Sequence, residues 1–216
     1  MAPYSGQMGY CFLLSFVFFG LELVCDCEGI IGYSKPINCA YLECPEYEVL
    51  HSESRFEIRA YKAANWMSFP VQGSKSFKDA STKGFLMLFD YINGKNSEGR
   101  NISITAPIIV DIGTSTGTSL YIVYFYLPKQ YQANPPIPIP SSIQSVSLPP
   151  KKFAAVRRFG GFSNDKNIPK QAYILKGYLK GTPWESASEV QVYSQASYNA
   201  PYERTNRVNE ILIWFD

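Results

Sequence analysis

The sequence predicts an α+β domain built from two similar halves, each with a strand, a helix and then two strands. Segments rich in β-branched and aromatic residues, bounded by glycine and proline, recur along most of the chain. Two stretches between them carry apolar residues at helical spacing. A motif before the first helix, Phe56–Tyr61, is echoed before the second by 153–159. These three observations together predict a pseudo-two-fold repeat.

The first half contains five predicted strands around one predicted helix. The strands are Tyr47–Leu50, Phe56–Tyr61, Trp66–Val71, Ile102–Asp111 and Leu120–Leu127. The helix is predicted at about Phe77–Ile92, between the third and fourth strands. The last strand is apolar or aromatic on both sides, so we expect a central strand that is covered on both faces.

The second half repeats this plan after a proline-rich connector. Residues 134–140 contain four prolines, which cannot donate ladder hydrogen bonds and so favour an extended link. The predicted elements are strands at Ser145–Leu148 and Phe153–Phe159, a helix at about Ile168–Leu179, and strands at Val190–Ser197 and Val208–Phe215.

The composition indicates a folded domain and gives little support to an enzyme. Apolar residues make up 46% of the 216 residues, and the net charge of +2 is too small to indicate a nucleic-acid partner. The single histidine, His51, is predicted in an exposed turn, so a serine or cysteine triad has no second candidate base. Phosphate-loop, dinucleotide and metal-ligand motifs are absent from the sequence, and we therefore predict no enzymatic activity.

The first residues predict export. Residues 8–21 form an uncharged, mostly apolar run, typical of a signal peptide spanning residues 1–27. No Lys or Arg precedes the run, so an uncleaved anchor remains the alternative. A lead-in segment, 28–44, follows and carries Cys39 and Cys44, which form either a local disulfide or two free thiols. The prediction is a secreted or endomembrane protein, and Asn101 begins a glycosylation triplet.

The first predicted helix has a wider apolar sector than one buried face requires. Phe77, Ala80, Gly84, Leu88 and their neighbours form the expected core stripe. Phe85, Leu86 and Phe89 widen this stripe toward the polar side. Two interpretations remain open: another part of the chain covers these residues, or they form the floor of an apolar groove for a flat ligand.

Five ordered segments resemble the SOUL heme-binding family. They are Phe56-Glu-Ile-Arg-Ala-Tyr61, Tyr91-Ile-Asn-Gly-Lys-Asn96, Ile104-Thr-Ala-Pro107, Ala155-Val-Arg-Arg-Phe-Gly-Gly-Phe162, and Tyr198-Asn-Ala-Pro201 with Asn206-Arg-Val-Asn-Glu210. The resemblance covers residues 45–216. It implies a distorted antiparallel β-barrel with two flanking helices, and heme or another tetrapyrrole as a reversible ligand.

The resemblance also implies a site beside the first helix. Its expected tetrapyrrole-binding residues are Thr82, Phe85, Leu86, Phe89, Tyr202 and Arg204. Thr82, Asp90 and Glu203 stand where some relatives carry basic residues, and Lys83 and Arg204 are the expected substitutes. Some relatives carry a histidine, a possible axial ligand, where this chain has Ala60. We therefore expect no axial histidine ligand to iron, unless the segment around His51 folds over the groove, and Tyr202 and Met87 are weaker candidates.

The resulting functional prediction is a carrier or buffer of tetrapyrroles. The expected partner is a small-molecule tetrapyrrole, without nucleic acid, and with a membrane contact only through an uncleaved N-terminal segment. The alternative is a protein–protein interaction module on the same scaffold with little tetrapyrrole affinity, because the basic residues and the axial histidine are both missing.

Overall fold

The computed structural model describes residues 33–115 and 118–216. The predicted signal peptide, 1–27, lies outside these residues. In the described part of the chain, the strands are β1 Tyr47–Ser52, β2 Glu57–Tyr61, β3 Ala64–Val71, β4 Ile108–Ser115, β5 Thr118–Tyr126, β6 Gln144–Leu148, β7 Lys152–Phe159, β8 Tyr193–Ser197 and β9 Asn209–Phe215. The α-helices are α1 Phe77–Ile92 and α2 Asn167–Leu179, and short 3-10 helices lie at Ile37–Ala40, Lys129–Tyr131 and Glu185–Glu189.

One antiparallel sheet contains all of these strands, in the order β1-β2-β7-β9-β8-β4-β5-β3-β6. The first half, β3–α1–β4–β5, places β5 between β3 and β4, and the second half, β7–α2–β8–β9, places β9 between β7 and β8. The halves join where β4 pairs with β8, and each half also receives one strand from the other. The predicted α+β fold and its pseudo-two-fold repeat are confirmed.

The sheet curls into a half-barrel. Trp66 on β3 and Leu148 on β6 line one cavity together with Lys152 on β7 and Trp214 on β9, although several strands separate these pairs in the sheet. The sheet therefore bends around this face, which we call the inner face. Both helices lie on the other, outer face, where α1 packs on β3 and β5 and α2 packs on β7 and β9.

Helix α1 lies unusually close to strand β5. The helix begins after Ser76, whose hydroxyl accepts a hydrogen bond from the Asp79 amide at 3.2 Å. Gly84 faces the sheet, and a Cβ atom at this position would lie 2.2 Å from Cγ2 of Val123. Glycine is therefore required by this contact, which fixes the height of the helix above the sheet.

A buried charge cluster occupies the inner face across β2, β7 and β9. The Arg59 guanidinium donates to both carboxylate oxygens of Glu210 at 2.9 Å and to Glu57 at 2.7 Å. Burial raises the pKa of Glu210, but Arg59 and Arg158 outweigh it and hold that pKa below its ordinary value. The pairing of Glu210 with Arg59 links β2 to β9 across β7.

Three local expectations from the sequence need correction or completion. His51 lies in strand β1 and not in a turn. Strand β4 begins at Ile108, because residues 102–107 are irregular: the Thr105 hydroxyl donates to the Tyr126 carbonyl at 2.6 Å and Ala106–Pro107 is cis. Cys39 and Cys44 form a disulfide. Among the described residues, no helix is long and apolar enough to cross a bilayer.

Candidate functional site

The predicted helix residues form a continuous strip on α1. The four residues Thr82, Phe85, Leu86 and Phe89 follow the pattern i, i+3, i+4, i+7, which places them on one side of a helix. Leu86 is 55% exposed and Phe89 is 40% exposed, and Thr82 is also exposed. We call these four residues the α1 strip. It presents aromatic and aliphatic surface to solvent on the outer face.

The two phenylalanines of the α1 strip have different environments. Phe85 is half-buried, with its ring centroid 5.5 Å from that of Phe125 on β5. The Phe89 ring stacks on Phe85 with centroids 5.3 Å apart and an interplanar angle of 19°. Both interpretations of the wide apolar sector therefore hold in part: the sheet covers one side of Phe85, whereas Phe89 and Leu86 remain open.

The loop between β8 and β9, residues 198–208, lies at the same end of the sheet as the α1 strip. Ser197, the last residue of β8, pairs with Ile108, which pairs with Phe125 beneath Phe85. Two strand spacings, about 10 Å, therefore separate the start of the loop from the strand under the strip. Within this loop Tyr202 is 83% exposed and Arg204 is exposed. In the described chain, no hydrogen bond, ion pair or ring contact joins this loop to α1.

The loop is held by the other arginine in it. Arg207 donates to the carbonyls of Ala200 and Glu203 at 2.8 and 2.6 Å. Its guanidinium also lies over the Phe162 ring at 4.4 Å. A hydrogen bond from Asn199 lowers the pKa of Glu203. Arg207 is therefore a structural residue, which leaves Arg204 as the cation that the loop presents to solvent.

The cations near the α1 strip differ in their availability. Lys83 pairs with Asp79 at 2.9 Å, and this hydrogen bond lowers the pKa of Asp79. Lys95 pairs with Asp90 at 2.6 Å. Arg204 makes no hydrogen bond or ion pair with the other described residues. Of the two predicted substitutes for the missing basic residues, Arg204 is the one whose charge is free for a ligand.

No histidine lies near the α1 strip. His51 is on β1, where its ring centroid lies 4.5 Å from that of Trp184 and its Nε2 atom lies 3.1 Å from a carboxylate oxygen of Glu53. Ala60, where some relatives carry histidine, lies on β2, five strand spacings or about 25 Å along the sheet from β5. Helix α2 lies between, so neither position reaches the strip. The described residues also contain no cluster of three metal-ligating side chains.

Two cavities lie away from the predicted site residues. The larger, of about 300 Å³, lies between the first turns of the two helices. There Asp165 already accepts the Phe77 amide hydrogen at 2.5 Å. The smaller, of about 150 Å³, lies on the inner face between Trp66, Tyr124 and Trp214. No local sequence pattern indicates this inner cavity, because its walls come from strands that are distant along the chain.

Comparison of the sequence with models of known protein families identifies the class of this protein. The family model described as SOUL heme-binding protein matches residues 42–214. The chain therefore belongs to the SOUL heme-binding family.

Several curated relatives cover most of this chain. Human Heme-binding protein 2 is 31% identical over 159 residues, which are 72% of this chain and 76% of the relative. Heme-binding protein 1 of Xenopus laevis is 30% identical, over 74% of this chain and 82% of the relative. Mouse Heme-binding protein 2 is 31% identical, over 85% and 91% respectively.

Proposed function

We propose that this protein binds heme or a related tetrapyrrole reversibly on the α1 strip and acts as a carrier or buffer. The observation that carries the proposal is the stacked pair of half-buried Phe85 and exposed Phe89, beside exposed Leu86, in a member of this family. A flat macrocycle fits such an open aromatic surface, because it can cover several side chains at once without a deep pocket. No chemical reaction is part of the proposal.

The polar edge of the ligand would meet the loop between β8 and β9. Tetrapyrroles of the heme type carry carboxylate side chains, which need cations or water. Arg204 is the exposed and unpaired cation on this loop, and Tyr202 adds an aromatic ring with a hydroxyl group. The loop is a short distance across the sheet from the strip, so one ligand can contact both elements. Lys83 would have to leave Asp79 to contribute.

The positions of His51 and Ala60, both far from the α1 strip, support binding without a histidine ligand to iron. The macrocycle would be held by apolar contact and by its carboxylates, and the iron would make no bond to a histidine. We therefore expect hemin and metal-free protoporphyrin IX to bind with affinities within about threefold of each other, since a difference of about 0.6 kcal/mol corresponds to that factor.

The test is a titration of the purified protein with both compounds, followed by tryptophan fluorescence. Saturable quenching by both at micromolar concentration supports the proposal. The absence of saturable quenching by either compound contradicts it. A hemin affinity far above that of protoporphyrin IX, lost in His51→Ala, would contradict the proposed binding mode and assign a role to His51.

A second candidate function is a protein-interaction module. The observation that favours it is the same exposed Leu86 and Phe89, in a site where Asp90 and Glu203 replace basic residues. Capture of partners from the native extract, with and without added hemin, separates the two functions. A partner that binds the wild type but not Leu86→Asp, and that hemin does not displace, favours the interaction module.

We also propose that the protein is exported through cleavage near Glu28. The disulfide between Cys39 and Cys44 is typical of an oxidising compartment, and Asn101 is exposed in its glycosylation triplet. Expression in a eukaryotic cell line tests this, with mass spectrometry of the secreted product. A product beginning near Glu28 with a glycan on Asn101 supports export. Retention inside the cell with an intact N-terminus contradicts it.

A further inference from the structure

The inner face carries a half-open cavity of about 150 Å³ that is separate from the α1 strip. Its aromatic walls are Trp66 on β3, Tyr124 on β5 and Trp214 on β9. The edge strand β6 closes one side through residues 146–148. Asp111 on β4 supplies a carboxylate in a mostly apolar and aromatic lining, which Lys152 on β7 also reaches. The two halves of the fold thus build this cavity together.

Asp111 is held in place by a short relay of hydrogen bonds. The Trp214 indole N–H donates to the Ser194 hydroxyl at 2.8 Å. The Ser194 hydroxyl in turn donates to an oxygen of Asp111. The Tyr124 hydroxyl also bonds to this carboxylate. Two of the aromatic walls are therefore fixed to the carboxylate, which makes the cavity a preorganised site.

The charges of the cavity select a positive ligand. Asp111 takes part in no ion pair with the residues that the structure describes. Lys152, by contrast, already pairs with Asp216. Burial raises the pKa of Asp111, and the hydrogen bonds from Ser194 and Tyr124 offset this only in part. Faces of Trp and Tyr attract cations, and a half-buried carboxylate adds to this attraction.

The volume limits the ligand to a small molecule. A protein cavity of about 150 Å³ holds one benzene molecule. A tetrapyrrole, with four five-membered rings and their bridges, does not fit. We propose that the inner cavity binds a small aromatic ammonium ion, with its single ring against the Trp66, Tyr124 and Trp214 side chains and its ammonium group at the Asp111 carboxylate. This site is independent of tetrapyrrole binding.

The test uses a reporter variant in which only the cavity tryptophans remain. The chain has three Trp residues, and Trp184 contacts the His51 ring on the outer face. Trp184→Phe therefore leaves Trp66 and Trp214, which both line the cavity. This variant is titrated at neutral pH with benzylammonium and with the isosteric neutral probe benzyl alcohol. We expect saturable binding of benzylammonium, about tenfold tighter than that of benzyl alcohol.

Two charge variants on this background decide the role of Asp111. Asp111→Asn keeps the shape and the hydrogen-bond acceptor for Ser194, so we expect it to fold and to bind the two probes equally. Lys152→Gln removes a positive charge from the same cavity, so its affinity for benzylammonium should be at least that of the reporter variant. Thermal unfolding of both variants confirms that they fold.

Several results would overturn the inference. The inference fails if benzylammonium gives no saturable response, or if the reporter variant binds both probes with equal affinity. It also fails if the Asp111→Asn variant still prefers benzylammonium to benzyl alcohol. Weaker benzylammonium binding in Lys152→Gln would also contradict it. Competition between benzylammonium and saturating protoporphyrin IX would show a shared site and would contradict the separation of the two sites. Failure of tetrapyrrole binding itself leaves these results unaffected.

Discussion

Replacement of Phe89 by aspartate changes the α1 strip at its most open ring. Full burial of a phenylalanine side chain contributes about 1.5–3 kcal/mol. Since Phe89 is 40% exposed, a ligand that covers it gains about 0.6–1.2 kcal/mol, or roughly threefold to eightfold in affinity. The new carboxylate also opposes the acidic side chains of the ligand. We therefore expect Phe89→Asp to weaken binding of protoporphyrin IX by at least about tenfold.

The same numbers predict that the variant folds. The share of Phe89 that is already buried corresponds to about 0.9–1.8 kcal/mol, which is well below the stability of a typical domain. The assay is a fluorescence titration with protoporphyrin IX, with circular dichroism to verify the fold. Tyr173→Asp is the matched control, because Tyr173 is 79% exposed on α2 and lies outside the strip. Equal affinities of Phe89→Asp and wild type, with the fold intact, would refute the placement of the site.

Three further predictions concern stability. Gly84→Ala should destabilise the protein by about 1–3 kcal/mol, because the new Cβ atom overpacks against β5. Gly177→Ala on α2 should stabilise it by about 0.5–1 kcal/mol, because no atom lies within 4 Å of a Cβ atom at this position. Thermal unfolding measures both effects. Glu210→Ala should cost about 3–5 kcal/mol in urea unfolding, because it leaves the buried Arg59 without its bidentate partner; a cost below 1 kcal/mol would contradict this. Burial raises the pKa of Asp111 in the folded state, so its ionisation destabilises the fold above the unfolded pKa of about 3.9. Asp111→Asn should therefore be more stable than wild type at pH 7, and the difference should shrink toward pH 3; a less stable variant at pH 7 would be the opposite result.

The helices could be predicted from the sequence because their signals are local. The bounds of α1, Phe77–Ile92, are those that the apolar period predicts, and α2 begins only one residue earlier than predicted. The same period left open whether Leu86 and Phe89 are covered, and the structure shows both of them exposed. The predicted start of strand β4, Ile102, is wrong, because β4 begins at Ile108. Residues 102–107 have the composition of a strand, but their backbone is irregular and the Thr105 hydroxyl bonds to β5.

The inner cavity could not be predicted because it depends on register between distant strands. Trp66 on β3 and Trp214 on β9 are 148 positions apart in sequence. Three strands, β5, β4 and β8, lie between them in the sheet, and the curl of the sheet brings the two side chains to one cavity. The same holds for His51, whose distance from α1 depends on the sheet order and not on its local sequence. Local patterns define elements, whereas the relative positions of distant strands define the cavity.

The most direct test of the proposed function is a map of backbone amide chemical shifts on addition of protoporphyrin IX. The ring current of a bound macrocycle shifts nearby amide signals strongly. If the ligand lies flat on the outer side of α1, the largest shifts fall in residues 82–90 and 198–208. Largest shifts around His51 and Trp184, or around the inner cavity, would contradict this account.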